Sequence, residues 1–263
     1  MSAPRPVALS VAGLDPTAGA GLLADVRVFL RHGVRPAGVA SAWTVQDRNG
    51  VHDFGPIGWR AVKEAIRVVC ADMKPSAAKT GLLPDAETVE AVAAALPEEV
   101  PLVVDPVLAS TGGVAFLDAR GIAALRAALL PRATLVTPNL DEAAKLAELD
   151  PRGSFSARDA ARALLEAGCR AVLVKGGHAD GKEACDLLFD AEGEEVLTLP
   201  RAPGPTPHGT GCALSAAIAA RLARGEELRS AVRGAKALVH SMIAAADRSG
   251  LGRPRLGFDA EPE

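Results

Sequence analysis

Short apolar runs alternate with longer segments rich in alanine, leucine, glutamate and arginine along this chain of 263 residues. The runs Val7 to Ala12, Leu102 to Val104 and Ala171 to Val174 predict buried strands. Intervening segments such as Asp85 to Ala95 predict helices. Repeated strand–helix order is typical of α/β proteins, in which helices cover a mostly parallel sheet. We therefore expect an α/β fold around one such sheet.

The composition excludes several classes of protein. The chain has 29 Lys and Arg residues against 32 Asp and Glu, a formal net charge of -3, and its basic residues are scattered, so we expect no nucleic-acid partner. No apolar window is long enough for a membrane span, and Pro4 and Pro6 interrupt any secretory signal, so we expect no membrane partner. These features predict a cytoplasmic protein with one domain, residues 1–263, and a poorly ordered tail after about residue 250.

Polar or glycine residues follow every strand predicted in the sheet. Ligands of open parallel sheets bind beyond the carboxyl ends of the strands, so these residues are expected to line one rim. Asp105 follows a strand in a way that is common for magnesium ligands, direct or through water. Lys175 ends an apolar strand, where a phosphate oxygen would provide a partner for its charge. The polar side chains of this rim are Asp15, Gln46, Lys79, Asp105, Asn139, Glu142 and Lys175.

Two rim residues and one helix residue have competing interpretations. Asn139 and Glu142 fit a helix start, and Asn139 as an ordinary N-cap is an alternative to a role in the site. Lys236 is expected to be a solvated helix lysine, with contact to a nucleotide as the alternative.

The segment from His208 to Cys212 opens directly onto an apolar run that predicts a helix. Gly209 and Gly211 bracket Thr210, which lets the main chain turn tightly and direct several N–H groups at one point. The positive end of the helix dipole favours an anion there, such as a phosphoryl group in transfer. The same field is expected to lower the pKa of Cys212, which would make it a proton acceptor. A glycine turn before a core helix, with Cys212 packed inside, is the alternative.

Ordered blocks along nearly the whole chain resemble the hydroxymethylpyrimidine/phosphomethylpyrimidine kinase family of the ribokinase-like superfamily. The blocks include Gly19-Ala20-Gly21, Thr44-Val45-Gln46, Ala78-Lys79-Thr80-Gly81, Val104-Asp105-Pro106-Val107, Thr137-Pro138-Asn139, Val174-Lys175-Gly176-Gly177-His178, Asp186-Leu187-Leu188 and His208-Gly209-Thr210-Gly211-Cys212. The resemblance implies a three-layer α/β/α fold with a central, mostly parallel sheet. It also implies transfer of the ATP γ-phosphate to 4-amino-5-hydroxymethyl-2-methylpyrimidine and then to its monophosphate, in thiamine biosynthesis, by a homodimer.

The resemblance also implies roles for individual residues. The pyrimidine side is assigned to Gly13, Asp15, Gln46, Leu82 and Val107, and the magnesium side to Asp105 and Glu142. ATP is assigned to Asn139, Lys175, Thr210 and Lys236, and catalysis to Lys175, Gly209, Gly211 and Cys212. Cys212 would accept the hydroxymethyl proton or orient that nucleophile, so its loss is expected to damage the first phosphorylation more than the second.

The sequence departs from the family pattern around the pyrimidine side. Leu82 stands where methionine is common, and Gly112 lacks a hydroxyl that relatives often carry. Pro203, Pro205 and Pro207 stiffen a loop that is usually more polar. These changes leave two other functions open: a pyridoxal kinase of the same superfamily, and a non-catalytic pyrimidine sensor.

Overall fold

A nine-stranded sheet organises the protein, which we describe from a computed structural model covering residues 5–150, 154–176, 181–249 and 253–258. The strands are β1 (Val7–Leu14), β2 (Arg35–Gln46), β3 (Val51–Pro56), β4 (Ala77–Thr80), β5 (Leu102–Val104), β6 (Leu135–Val136), β7 (Val172–Val174), β8 (Glu183–Asp190) and β9 (Gly193–Pro200). Their spatial order is β3-β2-β1-β4-β5-β6-β7-β8-β9. The strands from β2 to β7 in this order pair in parallel, whereas β3, β8 and β9 pair antiparallel at the two ends.

Helices cover both faces of the sheet. They are α1 (Gly21–Arg31), α2 (Trp59–Met73), α3 (Ala86–Ala95), α4 (Ala119–Ala124), α5 (Leu140–Leu146), α6 (Ala157–Glu166), α7 (Thr210–Ala223) and α8 (Leu228–Ala244). One core joins the sheet to α2–α6, and a second core joins it to α1, α7 and α8. Strand residues alternate between these cores: Leu102 and Val104 face the first, and Val103 faces the second. The predicted three-layer α/β/α fold is confirmed.

The structure corrects two expectations about the helices and strands. An additional strand, β3, pairs with β2, and no strand was predicted there because Val51–Pro56 carries polar residues at an exposed edge. The helix predicted from Asp118 to Leu130 is regular only to Ala124 and continues as a π turn over Leu125–Leu129 and a 3₁₀ turn over Leu130–Arg132. Pro131 lacks the N–H that a regular helix needs, which fits this ending.

The tail after residue 250 was expected to be poorly ordered, but residues 253–258 pack against the rest of the protein. Leu256 and Phe258 are buried in the second core, and the Arg255 N–H donates to the Asp247 carbonyl. The Arg253 N–H donates to the Arg48 carbonyl in the turn between β2 and β3. Apolar burial therefore orders this segment, while residues 250–252 and 259–263 lie outside the described part of the chain.

Candidate active site

Asp105 is the centre of a buried charged cluster at the carboxyl end of β5. Lys175, which follows β7, places Nζ 3.0 Å from Asp105 Oδ1. The Thr137 hydroxyl donates to the same oxygen over 3.4 Å. The Ser215 hydroxyl donates to Asp105 Oδ2 over 3.1 Å. Strand ends and one turn of α7 thus converge on a single carboxylate, as expected for the carboxyl edge of a parallel sheet.

Glu142 lies on the other side of Lys175. Its Oε2 is 4.0 Å from Lys175 Nζ and accepts the Asn139 N–H over 2.8 Å. The Asn139 Oδ1 in turn accepts the Glu142 N–H over 2.8 Å, so the two residues form a capping box at the start of α5. The structure therefore gives Asn139 the N-cap role that was left open, and Glu142 acquires a fixed position beside Lys175.

Burial and charge act in opposite directions on the three ionisable groups of this cluster. Burial favours the neutral carboxyl of Asp105, but the charges of Lys175 and Lys79 outweigh it and lower the pKa of Asp105. Burial likewise opposes the charge of Lys175, yet Asp105 and Glu142 raise its pKa. For Glu142, burial and the nearby Asp105 charge win over Lys175 and raise the pKa. The arrangement fixes a cation between two carboxylates of unequal acidity.

The first turn of α7 faces Lys175. Gly209, the N-cap residue, has φ +86°, and a Cβ there would collide with the Gly19 carbonyl, so only glycine fits. A Cβ on Gly211 would stand 3.2 Å from Lys175 Nζ, which places the ammonium over this turn. As a glycine, the N-cap residue Gly209 has no side chain that could cap α7. Its first N–H groups are therefore available to an anion beside Lys175.

Cys212 lies half-buried in the same turn, and the expected lowering of its pKa is wrong. Burial raises the pKa of Cys212 to about 11, and the nearby Asp105 charge acts in the same direction. The charge of Lys79 and a hydrogen bond from the Gly21 N–H oppose this rise without reversing it. The thiol is therefore protonated at neutral pH, because burial outweighs the field at the helix start.

Asp15 organises the loop after β1. Its Oδ1 accepts the Thr17 N–H and hydroxyl, both over 2.8 Å. Its Oδ2 accepts the Ala20 N–H over 2.9 Å and lies 3.2 Å from His208 Nε2. Burial acts to raise the pKa of Asp15, but hydrogen bonds from His208, Gln46 and Thr17 lower it. Four protein residues thus surround the carboxylate and hold the loop, and a direct contact of Asp15 with the pyrimidine stays a prediction.

A second buried ion pair lies behind the cluster. Lys79 Nζ is 2.7 Å from Asp25 Oδ2, both side chains are fully buried, and the Ser10 hydroxyl donates to the same carboxylate oxygen over 2.6 Å. The pair joins β4 to α1, with Ser10 on β1. Its charge acts on both Asp105 and Cys212. Lys79 is therefore a positive group within electrostatic reach of the site.

Three residues assigned to the pyrimidine side lie together. A Cβ on Gly13 would stand 3.4 Å from Leu82 Cβ, so the end of β1 touches Leu82. Leu82 and Val107 belong to one small apolar cluster at this edge of the sheet. Gln46 reaches the same region through its hydrogen bond with Asp15. The predicted pyrimidine side thus forms a mixed surface with one amide and several apolar groups.

Lys236 is not the solvated lysine that was expected. It is buried, and its Nζ lies 2.6 Å from Asp186 Oδ2 and 3.0 Å from the Ala184 carbonyl. Asp186 Oδ1 accepts the Gly176 N–H over 2.8 Å, directly after Lys175. Asp186 therefore links the Lys236 ammonium to the main chain beside Lys175, and a contact of Lys236 with a nucleotide stays a prediction. Gly177 and His178, which follow Gly176 in the chain, lie outside the described residues.

Some residues of the site carried no predicted role. Ser215 lies four residues after Gly211 on one face of α7, and this helical spacing is the signal that could have revealed it. Lys79 occurs in a block quoted for the resemblance, but its contact with Asp25 spans 54 residues and has no local signal. Thr210 is half-exposed at the start of α7.

The carboxylates around Lys175 are the groups of this site that could take part in holding a metal ion. Within the described ranges, no group of three or more His, Cys, Asp or Glu side chains could hold a metal. Asp105 and Glu142 are two carboxylates beside an open anion site, and Mg²⁺ is commonly held by one or two carboxylates with substrate phosphates and water. The residues present therefore fit a magnesium ion that arrives with a phosphate ligand.

Among the helices of the described segments, none has the length and apolar composition of a membrane span.

A family model described as phosphomethylpyrimidine kinase matches residues 15–255, which include every element of this site except Gly13. The chain belongs to the phosphomethylpyrimidine kinase family. A hydroxymethylpyrimidine/phosphomethylpyrimidine kinase of Rhizobium meliloti is 43% identical over 254 residues, covering 95% of this chain and 94% of that relative. Membership confirms the resemblance seen in the sequence.

Solved structures of two kinds share the fold of this family member. The ADP complex of Bacillus subtilis pyridoxal kinase superposes with a TM-score of 0.88 at 29% identity and covers 98% of both chains. A phosphomethylpyrimidine kinase of Clostridium difficile superposes with a TM-score of 0.75 at 31% identity, covering 89% of this chain and 98% of that one. One scaffold thus serves kinases named for two different heterocycles.

Proposed function

We propose that the protein transfers the γ-phosphate of ATP to 4-amino-5-hydroxymethyl-2-methylpyrimidine and then to the resulting monophosphate, in thiamine biosynthesis. The observation that carries this proposal is Lys175, held 3.0 Å from Asp105 and 4.0 Å from Glu142 over the uncapped first turn of α7. Membership of the phosphomethylpyrimidine kinase family supports the choice of the pyrimidine as the acceptor. Phosphoryl transfer needs in-line positioning and neutralised oxygens more than covalent chemistry, and the cluster supplies both.

The phosphate side of the site consists of Asp105, Glu142, Lys175 and the first turn of α7. The N–H groups from Gly209 to Cys212 hold the transferring group, and Lys175 binds its oxygens from the opposite direction. Donors fixed in advance need no reorganisation as negative charge moves from the attacking oxygen, through the transferred group, to the leaving oxygen of ADP. Asp105 and Glu142 would hold Mg²⁺, which supplies charge neutralisation to the phosphates when bound. Thr137 and Ser215 keep the Asp105 carboxylate oriented for this role.

Cys212 orients the hydroxymethyl group of the first acceptor. With a pKa of about 11, only about one thiol in ten thousand is ionised at pH 7, so a standing thiolate base is scarce. A protonated thiol at the helix start can still hydrogen-bond the acceptor oxygen and fix its line of attack, while the hydroxymethyl proton passes to an oxygen of the transferred phosphate as the new P–O bond forms. In the second step the nucleophile is already an anionic phosphate, and the thiol matters less.

The acceptor side consists of Gly13, Asp15, Gln46, Leu82 and Val107, and Asp15 also holds the loop after β1. Gln46 supplies hydrogen-bonding groups for the ring nitrogens and the amino group, while Leu82 and Val107 contact its apolar faces. ATP lies towards α5 and α7, with Asn139 and Thr210 at the edges and Lys236 acting through Asp186. We extend the proposal to a single kinase domain that works in the cytoplasm as a homodimer, on the strength of the family resemblance.

Steady-state ADP release measured with three acceptors tests the proposal. With Mg²⁺ and ATP, the free pyrimidine should yield two ADP per pyrophosphate formed and its monophosphate one, and pyridoxal should be a poor acceptor. Pyridoxal kinase is the second candidate, favoured by the 0.88 TM-score of the Bacillus subtilis enzyme. A kcat/KM for pyridoxal above that for either pyrimidine would establish this candidate. Pyrimidine binding without ADP release would instead indicate a sensor.

A further inference from the structure

Two phenylalanines form a small aromatic wall at the acceptor side. The ring centroids of Phe54 and Phe116 are 5.0 Å apart and the rings are perpendicular, at 89°. Phe116 is buried in a cluster with Ala42 and Leu82, and Phe54 packs against that cluster. This cluster is separate from the two cores that join the helices to the sheet. Its apolar surface therefore lies at the carboxyl edge of the sheet and not in either of the two cores.

The β2–β3 hairpin directs Phe54 and Gln46 to the same side. Thr44 pairs with Phe54, and Gln46 pairs with Val51 on the other side of a register shift. Side chains of directly paired residues share a face of an antiparallel ladder, and every second residue along a strand returns to that face. Val51 and Phe54 both pack on the Leu82 cluster, consistent with this placement. The amide of the predicted pyrimidine contact and the aromatic wall thus border the same space.

The wall is also joined to the phosphate side. The Phe116 N–H donates to the Leu108 carbonyl over 2.9 Å. The Leu108 N–H in turn donates to the Glu142 carboxylate. Val107 belongs to the wall's cluster and follows Asp105 by two residues. An acceptor resting against the wall therefore lies next to the carboxylates that face the transferred phosphate.

We propose that Phe54 and Phe116 determine specificity by setting the width of the acceptor pocket for a pyrimidine and against a pyridine with one more ring substituent. The inference rests on the proposed function. Perpendicular aromatic pairs pack rigidly, so the wall resists displacement by a larger ring. Since the same scaffold occurs in kinases named for pyridoxal, selection has to come from side chains such as these. Steric selection in an apolar pocket is worth about 10–200-fold per missing or extra carbon group.

Phe54→Val, Phe116→Leu and the double variant test this proposal, with kcat/KM measured for the free pyrimidine and for pyridoxal. We expect each single substitution to lower the pyrimidine-to-pyridoxal ratio about tenfold and the double substitution by more, chiefly through better use of pyridoxal. The KM for ATP should stay within about twofold of the wild-type value, because the wall is joined to the phosphate side only through main-chain hydrogen bonds, which these side-chain substitutions keep. Trp43→Leu is the matched control, since Trp43 lies opposite Gly55 on the other face of the hairpin.

An unchanged ratio in both folded single variants would overturn the proposal. So would an equal loss for both acceptors with a raised KM for ATP, which marks a purely structural role. If the double variant does not fold, the acceptor ratios of the single variants decide between these outcomes. A second measurement is the inhibition constant of pyridoxine, as a competitor of the free pyrimidine, for the wild type and for Phe116→Leu. That constant should fall in the variant, and an unchanged one would contradict the proposal. A wild-type enzyme without pyrimidine turnover would refute the proposed function, which is a separate result.

Discussion

The phosphate side of the site lies at the ends of central parallel strands, whereas the acceptor side rests on an antiparallel hairpin at the edge of the sheet. Asp105 and Lys175 follow β5 and β7 and are bonded to each other before any ligand arrives. The hairpin has mainly apolar contacts on the face towards the acceptor, and Trp43 and Val45 on its other face are 40% and 52% exposed. The interior of the sheet thus fixes the phosphate side, whereas side chains of the acceptor side can change without disturbing the core.

Breaking the buried pair behind the phosphate side should have the largest effect. Lys79→Met leaves the Asp25 carboxylate without its partner in a fully buried position and should lower the free energy of unfolding by about 3–5 kcal/mol. Urea unfolding followed by circular dichroism measures this loss. The double variant Asp25→Leu/Lys79→Met removes both charges and should recover much of it. A single variant as stable as the wild type would show that the pair is not needed for the fold.

Removing the central cation should abolish catalysis while leaving the acceptor side intact. We expect Lys175→Met to lower kcat by about 10²–10³-fold with both pyrimidine acceptors, since it removes a donor fixed at the transferred group. The KM of the free pyrimidine should change little. Lys145→Met, at an exposed position on α5, is the matched control. A kcat within a few-fold of the wild type would remove Lys175 from the reaction.

The Asp15 loop lies between the two sides, and its stability should depend on pH. Because the pKa of folded Asp15 lies below its ordinary value of 3.8, its stabilisation is fully present above about pH 4 and is lost as the pH falls towards the folded pKa. Asp15→Asn should cost about 1.5–3 kcal/mol at pH 7. The difference from the wild type in urea unfolding should narrow at pH 3. A gap that widens at low pH would contradict the lowered pKa.

The smallest effect is expected at the junction of the two sides. Cys212→Ala should reduce kcat/KM for the free pyrimidine about tenfold and for the monophosphate by less, because only the first acceptor needs orienting. As the pKa of Cys212 is about 11, the wild-type rate with the free pyrimidine should not rise tenfold per pH unit between pH 7 and 9. A rise of that size, absent in Cys212→Ala, would instead show that the thiolate accepts the proton.

The sequence predicts the fold and the phosphate side well because both follow from local patterns. Apolar runs mark the buried parallel strands, and a polar residue at the end of each strand marks the rim, which is how Asp105 and Lys175 emerge together. The edge strand β3 has no such run, so neither the strand Val51–Pro56 nor the position of Phe54 can be predicted before the pairing with β2 is known.

Long-range contacts account for the other differences. Lys236 looks solvated from its helix alone, and only the approach of Asp186, 50 residues away, explains its burial. The pKa of Cys212 follows from burial and from Asp105, which outweigh the helix start that the sequence reveals. The packing of residues 253–258 depends on Leu256 and Phe258 meeting a core built from earlier parts of the chain.

Phosphorus NMR of a reaction containing the enzyme, Mg²⁺, ATP and the free pyrimidine tests the central claim most directly. The account predicts a pyrimidine monophosphate resonance that appears first and is then replaced by the two coupled resonances of the pyrimidine pyrophosphate, with ADP formed in step. Release of inorganic phosphate alone, or spectra that stay unchanged while the enzyme is folded, would contradict it.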